Sequence, residues 1–213
     1  MNLGFDAAVL PPDQLAALIV AVSFAAGLNV SATIATLGLL ARLGGVPLPA
    51  SLHVLTSWWV IGASVALFVV EFVADKIPAF DLVWNMLQTF VRVPVAALLA
   101  FAAASQLSSE KQLLATALGG AIALAAHGGK TAARAAVTAS PEPFSNIALS
   151  LGEDAFAIFI SWFAARHPFL AATIVGLLLV VIVLLLRWVV RGLRALFGAK
   201  PELARSGAQR SEA

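Results

Sequence analysis

The chain has 213 residues, of which 61% are hydrophobic and only 11% are charged. A soluble domain carries about 25% charged residues, so this composition excludes an ordinary water-soluble protein and predicts an integral membrane protein. The formal net charge of +2 does not indicate a nucleic-acid partner, and the absence of cysteine excludes disulfides and thiolate metal sites.

Pro11, Pro12 and Asp13 form a typical helix-start signal, and an apolar pattern continues from there to Leu43. A helix of roughly 30 residues is about 45 Å long, whereas the hydrocarbon core of a bilayer is about 30 Å thick. We therefore expect this helix to tilt or to break, with Gly27 and Asn29 marking the break.

A second span is predicted over residues 57–74, with Trp58 and Trp59 at the membrane interface. Pro78 ends this segment, and a short amphipathic helix over residues 81–89 leads into a third span over residues 90–104.

The fourth predicted helix, residues 112–140, is again too long for a simple crossing, and Gly128 and Gly129 predict an interruption in its middle. A fifth span over residues 146–165 and an aliphatic sixth span over residues 169–190 follow. The predicted fold class is thus an all-α transmembrane bundle of about six spans.

The domain prediction is one transmembrane domain, 1–198, followed by a disordered basic tail, 199–213. Superposing the two overlong helices aligns Asn29 with His127 and Thr33 with Thr131, which favours inverted three-helix repeats with halves 1–108 and 109–198. The alternative is that alanine-rich helices align with almost anything.

Basic residues concentrate near the C-terminus and predict a cytoplasmic location for it, in a bacterial inner membrane. An even number of spans would place the N-terminus on the same side. These basic residues are Arg187, Arg191, Arg194, Lys200, Arg205 and Arg210.

The stretch AAHGGKTAARAAVTAS, residues 125–140, contains a Gly-Lys-Thr sequence but is not a phosphate-binding loop. Leu124 stands where that motif needs its first glycine, and a helix rather than a strand precedes it. His127, Lys130 and Arg134 share one helical face. This face either lines a cavity or partner helix, or the segment has left the membrane and its charges are solvated.

Acidic residues inside apolar segments are the second unusual feature. Glu153 and Asp154 have apolar runs on both sides, and Glu71 and Asp75 close the second span. Such residues are costly in lipid and usually face protein or water, so they indicate either a polar pathway or structural ion pairs with nearby cations. The candidate pathway residues are Asn29, Glu71, Asp75, Lys76, Arg92, His127, Lys130, Arg134, Glu153 and Asp154.

Catalytic and metal sites are not predicted. His53, His127 and His167 are scattered, and neither an HExxH nor a GxSxG pattern occurs. The sequence therefore predicts neither an enzyme nor a bound cofactor.

Residues 69–100 carry a further pattern, Glu-x-x-x-Asp-Lys-Ile-Pro followed by an aspartate and an arginine. The residues are Glu71, Asp75, Lys76, Ile77, Pro78, Asp81 and Arg92. This pattern resembles the signature of a bacterial integral-membrane family known only as a domain of unknown function. The resemblance extends to the broken first helix, to the segment of Lys130 and Arg134, and to the Glu153–Asp154 pair. It implies the same selection of residues and no particular activity.

The favoured function is a small-solute or ion transporter or channel with a charged intramembrane site. The alternative is a non-transporting scaffold or lipid-interacting protein whose charges form structural ion pairs. The expected partners are membrane lipids, a small ion or anionic solute, and further copies of the chain. A water-accessible cavity at Glu153 and Lys130 favours transport, and carboxylates locked to cations in a dry core favour the scaffold.

Overall fold

The computed structural model describes residues 9–44, 46, 48–75, 78–138 and 143–198, and all regular secondary structure in this part of the chain is helical. The described α-helices are α1 (Pro12–Leu28), α2 (Val30–Arg42), α3 (Trp58–Ala74), α4 (Pro78–Ala103), α5 (Ser109–Thr138), α6 (Pro143–Arg166) and α7 (Pro168–Gly198). Short 3-10 helices, Ala50–Thr56 and Ala104–Gln106, precede α3 and α5. The predicted all-α class is confirmed.

The break between α1 and α2 lies at Asn29, as the sequence predicted. The backbone of Asn29 is extended, with φ −152° and ψ 102°, and its side-chain oxygen accepts a hydrogen bond from the Ala32 amide at 2.8 Å. Asparagine is a favourable N-cap because this bond satisfies one of the free amides at the start of a helix. Gly27 lies inside α1, so the amide side chain rather than the glycine defines the break.

Helix α1 is the centre of the bundle. Its sequence is apolar around the whole circumference, which is typical of a helix surrounded by protein, and it packs against α4, α5, α6 and α7. The contact with α5 is especially close, since an ideal Cβ built on Gly27 would lie 2.5 Å from the carbonyl oxygen of Ala123. Glycine permits this approach, as small residues do in membrane helix pairs.

Helix α5 runs without interruption from Ser109 to Thr138, so the predicted break at Gly128 and Gly129 is wrong. An interior glycine weakens a helix by about 1 kcal/mol but offers no side chain to replace the backbone bonds of a broken turn. Because only one of the two long helices is broken, the paired interruption that suggested a repeat is not observed. The repeat itself stays a prediction.

Helix α4 also differs from the expectation, because the short amphipathic helix over residues 81–89 and the third span form one continuous helix. Pro94 lies inside α4 without ending it.

Within the described ranges, three helical stretches are long and apolar enough to cross a membrane: Trp84–Gln106, Ile147–Arg166 and Pro168–Gly192. A fourth crossing results if Ala50–Thr56 and Trp58–Ala74, bent by 65°, count as one span. Helices α1 and α2 are apolar but shorter, with 17 and 13 residues. The expected number of six membrane spans therefore stays a prediction. The division into a transmembrane domain and a tail also stays a prediction, because residues 199–213 lie outside the described residues.

Candidate functional site

The cationic face of α5 is buried. His127, Lys130 and Arg134 are 4%, 3% and 4% exposed, although they are polar residues in an apolar bundle. The interpretation that these charges are merely solvated is therefore wrong. The face is turned towards the C-terminal ends of α1 and α3 and the middle of α6.

Asp75, Lys130, Arg134 and Glu153 form a compact charge cluster. Arg134 Nη2 donates to Asp75 Oδ2 at 2.7 Å and to Glu153 Oε2 at 2.8 Å. Lys130 Nζ lies 3.5 Å from the same Asp75 oxygen and 3.4 Å from the same Glu153 oxygen. Asp75 directly follows α3, so the cluster ties three helices, α3, α5 and α6, together.

The helix break contributes a backbone oxygen to this charge cluster. In an uninterrupted helix the amide of Ala32 would donate to the carbonyl of Leu28. Here the Ala32 amide donates to the Asn29 side chain instead. The released Leu28 oxygen accepts a hydrogen bond from Lys130 Nζ at 3.3 Å. The local structure of Asn29 thus creates a site for the lysine.

Asn29 also binds the neighbouring carboxylate. Its Nδ2 donates to Asp154 Oδ1 at 2.9 Å, and both side chains are buried. The two ends of one amide therefore have separate functions, since the oxygen caps α2 and the nitrogen binds Asp154.

A second buried group surrounds Arg92 on α4. It includes His127, about one turn before Lys130 on α5, and Glu71, one turn before Asp75. Arg92 Nη2 donates to Glu71 Oε1, and both residues are 0% exposed. Arg92 Nη1 lies 3.0 Å from His127 Nδ1, and Thr89 Oγ1 lies 2.7 Å from His127 Nε2. Arginine only donates, so Nδ1 is the accepting nitrogen and the imidazole proton resides on Nε2, facing Thr89.

Carboxylates outnumber cationic side chains among the described residues of the two groups. Four carboxylates, those of Glu71, Asp75, Glu153 and Asp154, face three cationic side chains. Each carboxylate keeps one buried oxygen without a hydrogen-bond partner among the described residues. A buried acceptor without a partner costs about 1–3 kcal/mol, so these oxygens favour binding of a proton, a cation or water.

Nine of the ten predicted pathway residues lie in these two groups, and Lys76 lies outside the described residues. The sequence reasoning missed Ser150, whose hydroxyl donates to Asp75 Oδ2 at 3.4 Å, and Thr89. Helical spacing was the available signal, because Ser150 lies one turn before Asp154. The backbone oxygen of Leu28 carries no sequence signal of its own.

No group of three histidine or acidic side chains within the described part of the chain is arranged to hold a metal ion. The arrangement offers hydrogen-bond acceptors, a buried ammonium group and a broken helix.

The chain belongs to the family described as domain of unknown function DUF4126, whose family model matches residues 16–188. The match confirms the expected family membership. The matched residues include the helix break at Asn29 and both buried groups. No curated protein and no solved structure matches the chain.

Proposed function

We propose that this member of the DUF4126 family is a multi-pass protein of the bacterial inner membrane that moves a small ion or solute through the charge cluster. The observation that carries this proposal is the broken helix: Asn29 and the Leu28 carbonyl face buried, titratable side chains. In membrane transporters, substrate and ion sites are commonly formed by discontinuous helices whose free backbone groups contact the ligand. Irregular backbone at membrane depth is otherwise disfavoured.

The cost of burying so many charges supports the same proposal. A charged side chain within an apolar span costs several kcal/mol, and such residues typically mark ion pathways or proton relays. Seven of them lie in two adjacent groups here, in a chain that is only 11% charged. In the proposed mechanism Glu71, Glu153 and Asp154 accept protons or cations, while Lys130 and Arg134 balance the remaining charge.

The second candidate function is a non-transporting scaffold, and one specific observation favours it. Both buried guanidinium groups, of Arg92 and Arg134, already bind carboxylates. In this case the ion pairs would hold helices together, and the exposed basic face of α7 would bind anionic lipid headgroups. That face consists of Arg187, Arg191 and Arg194.

Flux measurements in proteoliposomes separate the two functions. We expect protein-dependent movement of protons or small ions, with a loss of at least about tenfold in Glu153→Gln and Asp154→Asn, because a tenfold loss in rate corresponds to only about 1.4 kcal/mol. The matched controls are Glu110→Gln and Asp13→Asn, which neutralise exposed carboxylates. Equal leak with and without protein, across a panel of ions, would contradict transport and leave the scaffold.

Three further proposals accompany this function. The chain is not an enzyme, its C-terminus faces the cytoplasm, and copies of the chain associate in the membrane. Reporter fusions at the C-terminus and mass measurement in lipid nanodiscs test the last two proposals.

A further inference from the structure

We propose that the ligand of this site is a small monovalent cation, which competes with the Lys130 ammonium for three oxygens: Leu28 O, Asp75 Oδ2 and Glu153 Oε2. The inference rests on the proposed function only where it takes the bound cation to be the transported ion. Binding of the cation and its competition with Lys130 follow from the contacts of the site itself. Lys130 thereby acts as a tethered substitute for the ligand.

The surroundings of Lys130 Nζ resemble a cation coordination shell. One backbone carbonyl and two carboxylate oxygens surround the ammonium at 3.3, 3.5 and 3.4 Å. Carbonyl and carboxylate oxygens are the ligands that hard cations take, and unwound backbone carbonyls coordinate sodium ions in several transporters. The Leu28 oxygen also lies at the C-terminal end of α1, where the helix dipole favours positive charge.

The distances indicate which of the two cations leaves. Charge-assisted hydrogen bonds between nitrogen and oxygen are about 2.7–2.9 Å long. Arg134 meets this standard at both of its carboxylates, with 2.7 and 2.8 Å. All three contacts of Lys130 are longer. Arg134 is therefore the fixed counter-charge, and Lys130 is the member that a competing ion displaces.

The balance of charge sets the sign of the ligand. The unpartnered carboxylate oxygens Asp75 Oδ1 and Asp154 Oδ2 are buried acceptors, and they require a donor or a cation. Lys130 and Arg134 are already neutralised by the carboxylates that they contact. An anionic solute would have to displace these carboxylates in a site where four carboxylates face three cationic side chains among the described residues, so the geometry favours a cation.

Equilibrium binding to purified protein tests the competition without requiring transport. The variant Lys130→Met removes the ammonium, and Lys130→Gln removes the charge but keeps a donor for the Leu28 carbonyl. The matched control is Lys111→Met, on the same helix but exposed. Each protein is titrated with NaCl, KCl or LiCl against choline chloride at constant ionic strength, with the thermal midpoint and radioactive sodium binding as readouts.

We expect both Lys130 variants to bind a small cation more tightly than wild type, by about tenfold if the lysine occupies the site about nine-tenths of the time. Their thermal midpoints should rise with that cation and not with choline, while Lys111→Met behaves as wild type. A second substitution that neutralises one of the two carboxylates around Lys130 Nζ, Asp75→Asn or Glu153→Gln, should abolish this response.

Identical midpoints in all salts would overturn the proposal, and so would the same gain in cation affinity in Lys111→Met as in the Lys130 variants. If neither Lys130 variant folds, amine labelling of wild-type protein decides. Labelling of Lys130 must rise in the competing salt while that of Lys111 stays constant, and an unchanged rate rejects the competition. Cation binding without flux would leave this inference intact and reject transport, whereas flux without cation binding would do the reverse.

Discussion

Substituting Asn29 tests the connection between the helix break and the charge cluster. In Asn29→Ala, α2 loses its N-cap, which costs about 1 kcal/mol. Asp154 Oδ1 also loses its donor, and a hydrogen bond to a charged group contributes about 1.5–3 kcal/mol. Because the two losses involve opposite ends of one side chain, we expect a total decrease of about 2.5–4 kcal/mol in the free energy of unfolding.

The serine variant separates the two contributions. Asn29→Ser retains a good capping oxygen for Ala32 but cannot donate to Asp154 through the same geometry. It should therefore be about 1 kcal/mol more stable than Asn29→Ala. In an Asp154→Ala background, where the acceptor is absent, the effect of Asn29→Ser should nearly vanish.

Equilibrium unfolding by SDS in mixed lipid–detergent micelles measures all of these variants. If Asn29→Ala costs less than about 1 kcal/mol, then Asn29 neither caps α2 nor holds the carboxylate. If Asn29→Ser is equally destabilising with and without Asp154, then the bond from Asn29 to Asp154 does not contribute to stability.

The remaining predictions use the same unfolding measurement. Gly27→Ala should lower the free energy of unfolding by about 1–3 kcal/mol, because its Cβ would meet the α5 backbone; an unchanged value would mean that α1 and α5 are farther apart. Gly128→Ala has no neighbour within 4 Å and should stabilise the protein by up to about 1 kcal/mol, whereas destabilisation would indicate that α5 is broken there after all. Arg92→Met should cost about 3–5 kcal/mol by leaving Glu71 buried and unpaired, and the double variant Glu71→Leu, Arg92→Met should recover most of this loss. Failure of the double variant to recover would show that Arg92 acts mainly through His127.

The helix break at Asn29 was predictable and the continuity of α5 was not, for one physical reason. Both positions carry residues that weaken a helix. Asn29 in addition supplies an oxygen that replaces a lost backbone bond, so breaking the helix there has a compensating gain. Gly128 and Gly129 supply nothing comparable, and alanines on either side favour the helix.

The membership of the site was also largely predictable, because a charge within an apolar segment stands out by composition alone. The pairing was not. Nothing in the sequence states that Arg134 rather than Arg92 contacts Glu153, since this depends on the packing of α5 against α6. The contribution of Leu28 was equally hidden, because every residue has a carbonyl and only the backbone path at the break releases this one.

The break and Lys130 stabilise each other, because each supplies a hydrogen-bond partner that the other would lack. Without the lysine, the released Leu28 carbonyl would be a buried acceptor lacking its donor, at a cost of about 1–3 kcal/mol. Without the break, Lys130 would contact only the two carboxylates that Arg134 already binds more closely. A purely structural ion pair would need no free carbonyl, because Arg134, Asp75 and Glu153 already join α3, α5 and α6. The additional backbone oxygen makes the surroundings of Lys130 Nζ a cage for a small cation rather than one more salt bridge.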